Sequence, residues 1–229
     1  MTKMRRVQKK SARGFTIVEL MIAMMVFSGV LTLMTAGVLY FTRMYYKGIT
    51  LSSTQNTTRQ IIDNISQALQ FSGSDSFKSA QNVDDDSDIQ VMCIGDKRYS
   101  FILNKQVKDS PDASKNQAYH ALVMDTIGSS CDNTEAVNGF ESKAVGAGAY
   151  NTAVTELVGE NMRLTALSVA PVLPGSPFYK ITVGVAYGDD DLFPVLSGDS
   201  RDYSRCVLSA GSQFCATSKL VTTVERRLN

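Results

Sequence analysis

The stretch FTIVELMIAMMVFSGVLTLMTAGVLYF, residues 15–41, is apolar apart from Glu19 and scattered small or hydroxyl residues. A helix needs about 20 such residues to cross a bilayer, so this segment is long enough to span one. Six basic side chains precede it (Lys3, Arg5, Arg6, Lys9, Lys10 and Arg13) with no acid among them, and only Arg43 and Lys47 follow closely. The positive-inside bias then places the leader in the cytoplasm and the rest of the chain outside.

Two plainer readings of the segment fit poorly. A secretory signal has an apolar core of about 7–15 residues followed by a small-residue cleavage site. Here the run is longer and its glycine boundary, Gly14, comes before it. A plain single-pass anchor gives no reason for a carboxylate five residues into the apolar stretch, since an acid inside a membrane is costly and marks function by default.

The residues Arg13-Gly14-Phe15-Thr16-Ile17-Val18-Glu19-Leu20 resemble the leader and processing site of type IV pilins and type II secretion pseudopilins. The resemblance covers about the first 40 residues. It implies that a membrane prepilin peptidase cuts after Gly14 and N-methylates Phe15, with Glu19 becoming the fifth residue of the mature chain. It also implies an assembly salt bridge. The new α-amino group of Phe15 would pair with the Glu19 carboxylate of a neighbouring subunit inside an apolar bundle, where a lone charge is costly. Implied partners are other pilin or pseudopilin subunits, the prepilin peptidase, the inner-membrane assembly platform and, before assembly, the cytoplasmic membrane. No cofactor is implied.

One departure bears on the kind of subunit. The major pilins that the segment resembles usually carry a helix-breaking proline in the membrane half, whereas here the corresponding place reads Met34-Thr35-Ala36-Gly37 and all 5 prolines lie at 111 or beyond. Gly29 and Gly37 are the soft points that remain. The resemblance therefore leans to a minor pilin or pseudopilin that primes or caps a type IV filament used for adhesion, motility, DNA uptake or secretion. The alternative is a tip-displayed adhesin or DNA-binding module of such a filament, or a J-type pseudopilin of a type II secretion system.

The whole chain carries 23 basic and 22 acidic side chains, but loss of the six in the leader leaves 17 against 22, a net charge of −5. That offers no basic field for the phosphates of nucleic acid, which is not an expected partner. The 4 cysteines, Cys93, Cys131, Cys206 and Cys215, all lie beyond the apolar segment and suit two disulfides in an oxidising space. A pairing of Cys206 with Cys215 closes a short loop and leaves Cys93 to Cys131, with three connectivities formally open. Metal binding fails on spacing, because there is no Cys-x-x-Cys and the single histidine, His120, is 11 residues from Cys131.

Beyond Tyr40 the chain turns polar yet keeps helical spacing, with Ile61, Ile62, Ile65, Ala68 and Leu69 making one apolar stripe. Phe15 to about Leu69 as one helix would be roughly 80 Å long, stopped by Gly73-Ser74-Asp75-Ser76. Ile89–Ile94, Tyr99–Leu103, Ala121–Ile127, Arg163–Val169, Phe178–Tyr187 and Lys219–Val224 read as strands, with Gly146 to Gly148 as a connector. The expected fold is α+β and pilin-like: a long N-terminal helix, half membrane-spanning and half amphipathic, packed on an antiparallel β-sheet head. The domains are a leader at 1–14, a transmembrane and assembly helix at 15–42, and an extracytoplasmic head at 43–229 that includes the second half of the helix, 43–72.

Two acidic clusters, Asp84-Asp85-Asp86-Ser87-Asp88 and Asp189-Asp190-Asp191, offer hard oxygens to Ca²⁺, but neither matches an EF-hand loop and solvated turn acids account for them. His120 has no Ser or Cys motif beside it, so the chain is read as no enzyme. Tyr45, Tyr46, Tyr119, Tyr150 and Tyr203 are candidate exposed aromatics for adhesion.

Overall fold

The computed structural model describes residues 14–73, 77–82, 88–112, 115–127, 154–198, 200–208 and 211–227. The chain forms two compact units, Met1–Met44 and Tyr45–Asn229. Helix α1, Ile17–Phe71, begins in the first and ends in the second.

In the first unit the helix turns an apolar surface outward on every side, from Ile17 through Phe41. Its hydroxyls are satisfied internally. Ser28, Thr32, Thr35 and Thr42 each donate to the carbonyl four residues back, at 2.7, 2.9, 2.8 and 2.8 Å. A helix that keeps its polar groups bonded to itself meets the requirement of a lipid environment. This helix is long and apolar enough to cross a membrane.

In the second unit the helix buries one stripe, Thr50, Thr54, Thr58, Ile61, Ile62, Ile65 and Leu69, at the three- and four-residue spacing of a single face. Ile61, Ile65 and Leu69 are completely buried, each worth roughly 1.5–3 kcal/mol relative to exposure. The three threonines repeat the back-bonding pattern, so their hydroxyls enter the interior without losing a partner.

The strands are β1 Phe77–Asn82, β2 Ile89–Ile94, β3 Lys97–Ile102, β4 Gln106–Val107, β5 Gln117–Ala118, β6 Leu122–Thr126, β7 Thr155–Glu156, β8 Met162–Pro171, β9 Phe178–Tyr187, β10 Val195–Ser197, β11 Ser200–Arg201 and β12 Ala216–Glu225. The single antiparallel sheet expected from the sequence is two five-stranded sheets, ordered β1-β2-β3-β6-β7 and β12-β9-β8-β4-β5, with β10-β11 as a small hairpin. The β4-β5 pair is parallel and the other pairs are antiparallel. The chain leaves the first sheet after β3 and enters the second at β4. Asn104 turns it there in the left-handed region (φ 65°), a conformation asparagine tolerates, and donates its N–H to the Leu164 carbonyl at 2.8 Å.

One core joins the helix stripe to Met92, Ile94, Tyr99, Phe101 and Leu122 of the first sheet and to Leu164, Ile181, Val183 and Val185 of the second. Tyr99, whose phenol is pushed up by burial, donates to Asn64 Oδ1 of the helix at 2.7 Å. The other row of β2, β3 and β6 is buried too, with Val91, Cys93, Ser100 and Val123 beside a paired Arg98 and Asp125. Those two face each other in register, and the guanidinium meets the carboxylate at 3.1 and 2.6 Å. In β9, a Cβ on Gly184 would lie 2.5 Å from Thr165 Oγ1, where β8 shifts register, so only glycine admits that bulge.

The helix ends at Phe71, just before the expected stop, where Ser72 Oγ donates to the Leu69 carbonyl at 3.0 Å. The expected connector at Gly146 to Gly148 lies outside the described residues.

Candidate processing and assembly site

Gly14, Phe15 and Thr16 are not helical, and α1 begins at the next residue. Thr16 fixes that boundary. Its Oγ1 accepts the backbone N–H of Glu19 at 3.2 Å, and its carbonyl accepts the N–H of Leu20 at 3.2 Å, the first bond of the helix. This is N-cap geometry, in which a hydroxyl satisfies one of the donors that a helix start leaves open. Thr16-Ile17-Val18-Glu19 is also a Thr-x-x-Glu sequence, the pattern of a capping box. The Glu19 carboxylate sits in the first turn, where the helix dipole favours negative charge. Phe15 is 83% exposed.

The three residues that the sequence singles out thus fall together at one helix end. Gly14 and Phe15 supply an open, non-helical peptide link, and Glu19 follows one turn later. Residues 9–36 match the family model for the prokaryotic N-terminal methylation motif.

Over that N-terminal stretch, 28 of the 229 residues, the chain is similar to type IV pilin-like proteins. The motif implies processing by a prepilin peptidase and assembly with other pilin subunits, and proteins that bear it are generally structural rather than catalytic. No curated protein and no solved structure matches the chain. Thr16 is the further residue of this helix start, and its signal in the sequence is the Thr-x-x-Glu spacing to Glu19.

In the pilin-like head, Cys206 and Cys215 are joined, with Cα atoms 5.9 Å apart. Cys93 is disulfide-bonded as well, and Cys131 lies outside the described residues. The loop that Cys206 and Cys215 close seats the helix. Lys47 Nζ donates to the Ser212 carbonyl at 3.2 Å, Thr50 Oγ1 reaches the Gln213 carbonyl at 3.5 Å, and the Tyr46 and Phe214 rings lie 5.7 Å apart.

In the second acidic cluster Asp189 and Asp191 are exposed, as turn acids would be, but Asp190 is not simply solvated. Arg163 is completely buried, and its guanidinium is held by Asp190, by the carbonyls of Asn104 (3.2 Å) and Gly188 (3.0 Å), and by the Tyr203 ring, 4.2 Å away. Tyr203 also donates to Asp190 Oδ1 at 3.1 Å. Asp189 accepts from Gln106 Nε2 at 3.0 Å and pairs with Lys108 at 3.3 Å. The hydrogen bond from Gln106 holds its carboxyl below the usual range, with Lys108 and Arg163 adding to the effect against some desolvation. The buried Arg163 claims Asp190, whereas Asp189 and Asp191 are exposed.

Tyr203 is accordingly a core residue, 7% exposed, rather than an exposed aromatic. Tyr45 and Tyr46 are exposed, Tyr119 is half-buried, and Tyr150 lies outside the described residues. Asp84, Asp85 and Asp86 also lie outside them, while Asp88 makes an exposed pair with Lys105 at 3.6 Å. His120 is buried with Nδ1 3.1 Å from Glu156 Oε2. Among the described residues no group of three or more His, Cys, Asp or Glu could hold a metal ion.

Proposed function

We propose that the chain is a minor pilin or pseudopilin, made as a precursor, cut after Gly14, N-methylated on Phe15, and built into a type IV pilus or related filament that it primes or caps. The observation that carries the reading is the helix start. An open Gly14-Phe15 link stands directly ahead of a threonine cap, with a carboxylate in the first turn. A peptidase requires an extended link rather than one locked in helical hydrogen bonds. Cleavage there leaves an amino group that a neighbouring subunit's Glu19 neutralises in an apolar bundle.

The unbroken helix through Met34-Thr35-Ala36-Gly37 supports a minor rather than a bulk subunit. The Cys206–Cys215 disulfide supports a head in an oxidising space, with the basic leader on the cytoplasmic side before cleavage. In this reading residues 1–14 are the leader, 15–42 the membrane and assembly helix, and 43–229 the head.

Intact mass and N-terminal analysis of the protein, made with and without the prepilin peptidase, tests the proposal. The expected product begins at N-methylated Phe15 only when the peptidase is present. An uncut chain, or one cut beyond residue 30, overturns it.

A further inference from the structure

A cavity of about 650 Å³ opens at the β4–β5 end of the second sheet, within the unit Tyr45–Asn229. It is lined by Gln106 of β4, by Gln117 of β5 with Asn116 before it, by the acids that follow β9, and by Arg201 of β11. Its volume falls in the range of about 300–1,000 Å³ usual for small-molecule sites. Its lining departs from the usual mostly apolar one, because each lining residue is polar or charged.

Gln106 is the built part of the cavity. Only 2% of the residue is exposed. Its Nε2 donates to three acceptors, Asp189 Oδ1 at 3.0 Å and the carbonyls of Gly188 at 3.0 Å and Asn161 at 3.3 Å. An amide has one donor end and one acceptor end, so this bonding settles which way it is turned. Its Oε1 takes no hydrogen bond among the described residues, whose buried unpartnered side-chain atoms are Ser100 Oγ, Arg163 Nε and Arg226 Nε. The Gln106 oxygen is not one of those, and is therefore open on the cavity that its residue lines.

Other lining groups are also unspent. Gln117 Oε1 accepts the Asp112 N–H at 3.0 Å, which leaves its Nε2 to donate. Asn116 gives Nδ2 to the Tyr203 hydroxyl at 3.3 Å and keeps Oδ1 as an acceptor. Asp191 is exposed and has no partner among the described residues.

The charges balance, with Lys108, Lys115 and Arg201 set against Asp189, Asp190 and Asp191. An anion meets three carboxylates, and among the described residues no group of ligands could hold a metal ion. An apolar molecule finds no aliphatic or aromatic side chain in the lining. The matching guest is neutral and carries groups that both donate and accept, as a hydroxyl does.

We propose that this cavity binds a neutral saccharide, whose hydroxyls donate to Gln106 Oε1 and the Asp191 carboxylate and accept from Gln117 Nε2. The site lies within residues 106–201 and does not depend on cleavage after Gly14.

Full-length protein, held in a detergent without a sugar headgroup, is applied to an array of defined neutral, sialylated and sulfated glycans. The expected result is capture by a structurally related set of neutral glycans, competed by the corresponding free saccharide. No capture, or capture by the sialylated or sulfated glycans alone, overturns the proposal. Two variants then place the binding in this cavity. Asp191→Ala breaks no contact of the fold and weakens capture about tenfold, as for loss of a hydrogen bond to a charged group, with thermal unfolding unchanged. Gln117→Glu keeps the oxygen that accepts the Asp112 N–H, removes only the free donor, and weakens capture as well. Capture undiminished in either variant overturns the site.

Discussion

Arg163 on β8 and Asp190, just after β9, form an ion pair in which the arginine has no exposed surface and the aspartate is partly covered. Removing one partner of such a pair strands the other charge. Asp190→Ala is therefore expected to cost about 3–5 kcal/mol, whereas Arg163→Met combined with Asp190→Leu recovers most of that loss. Urea unfolding of the detergent-solubilised chain, followed by near-ultraviolet circular dichroism, measures both.

Asp189 carries a pH signature. Its carboxyl is held below the ordinary value of 3.8, chiefly by the Gln106 hydrogen bond, so folding is favoured by its charged form. That contribution is complete above the unfolded value and is lost as pH falls below 3.8 through the depressed folded value. Asp189→Asn should shrink the stability difference between neutral and acidic solution. An unchanged acid limb in the variant would mean that Asp189 is not one of the groups behind it.

The Thr16 hydroxyl can be deleted with little change of shape. Thr16→Val should destabilise the first turn by about 1 kcal/mol, while Thr16→Ser preserves it. Amide exchange at Glu19, read by NMR in micelles, should quicken about fivefold in the valine variant. Equal exchange rates in the two variants would remove the cap.

Glu19 separates cleavage from assembly. Under the proposed function, Glu19→Ala is still cut after Gly14 but fails to enter filaments. Sheared-filament fractions probed for the mature chain report both steps, and normal incorporation would remove the pairing argument.

The Cys206–Cys215 bond closes a loop of sequence separation 9. Loop-closure entropy gives about 2–3 kcal/mol for a ring of that size. Cys206→Ser with Cys215→Ser should lower stability by that amount and expose Tyr46 to Thr50, whose contacts run to Ser212, Gln213 and Phe214. Hydrogen exchange over residues 45–51 is the measurement, with faster exchange expected there than at Ile61 to Leu69.

The parts of the fold visible in the sequence are those decided locally. The apolar run at 15–41 announces a helix by composition alone, and the stripe from Ile61 to Leu69 continues it. Phe178–Tyr187 alternates so cleanly that its bounds are those of β9, and Ile89–Ile94 are those of β2. What stayed hidden is decided by distant partners. Phe77–Asn82 reads FKSAQN, with little β-branched content, and becomes a strand because β2 offers it a ladder. Which strands share a sheet depends on the crossover at Asn104. Asp190 looks like any solvated turn acid until Arg163, 27 residues before it, is placed beneath it.

Ser28, Thr32, Thr35 and Thr42 keep their hydroxyls closed onto their own helix. A segment so arranged can leave lipid tails for the side chains of a filament, and go back again, without exchanging a single internal hydrogen bond. The work of extraction then reduces to trading one set of apolar contacts for another. Under the proposed function, these four internal hydrogen bonds stay in place on either side of such a transfer.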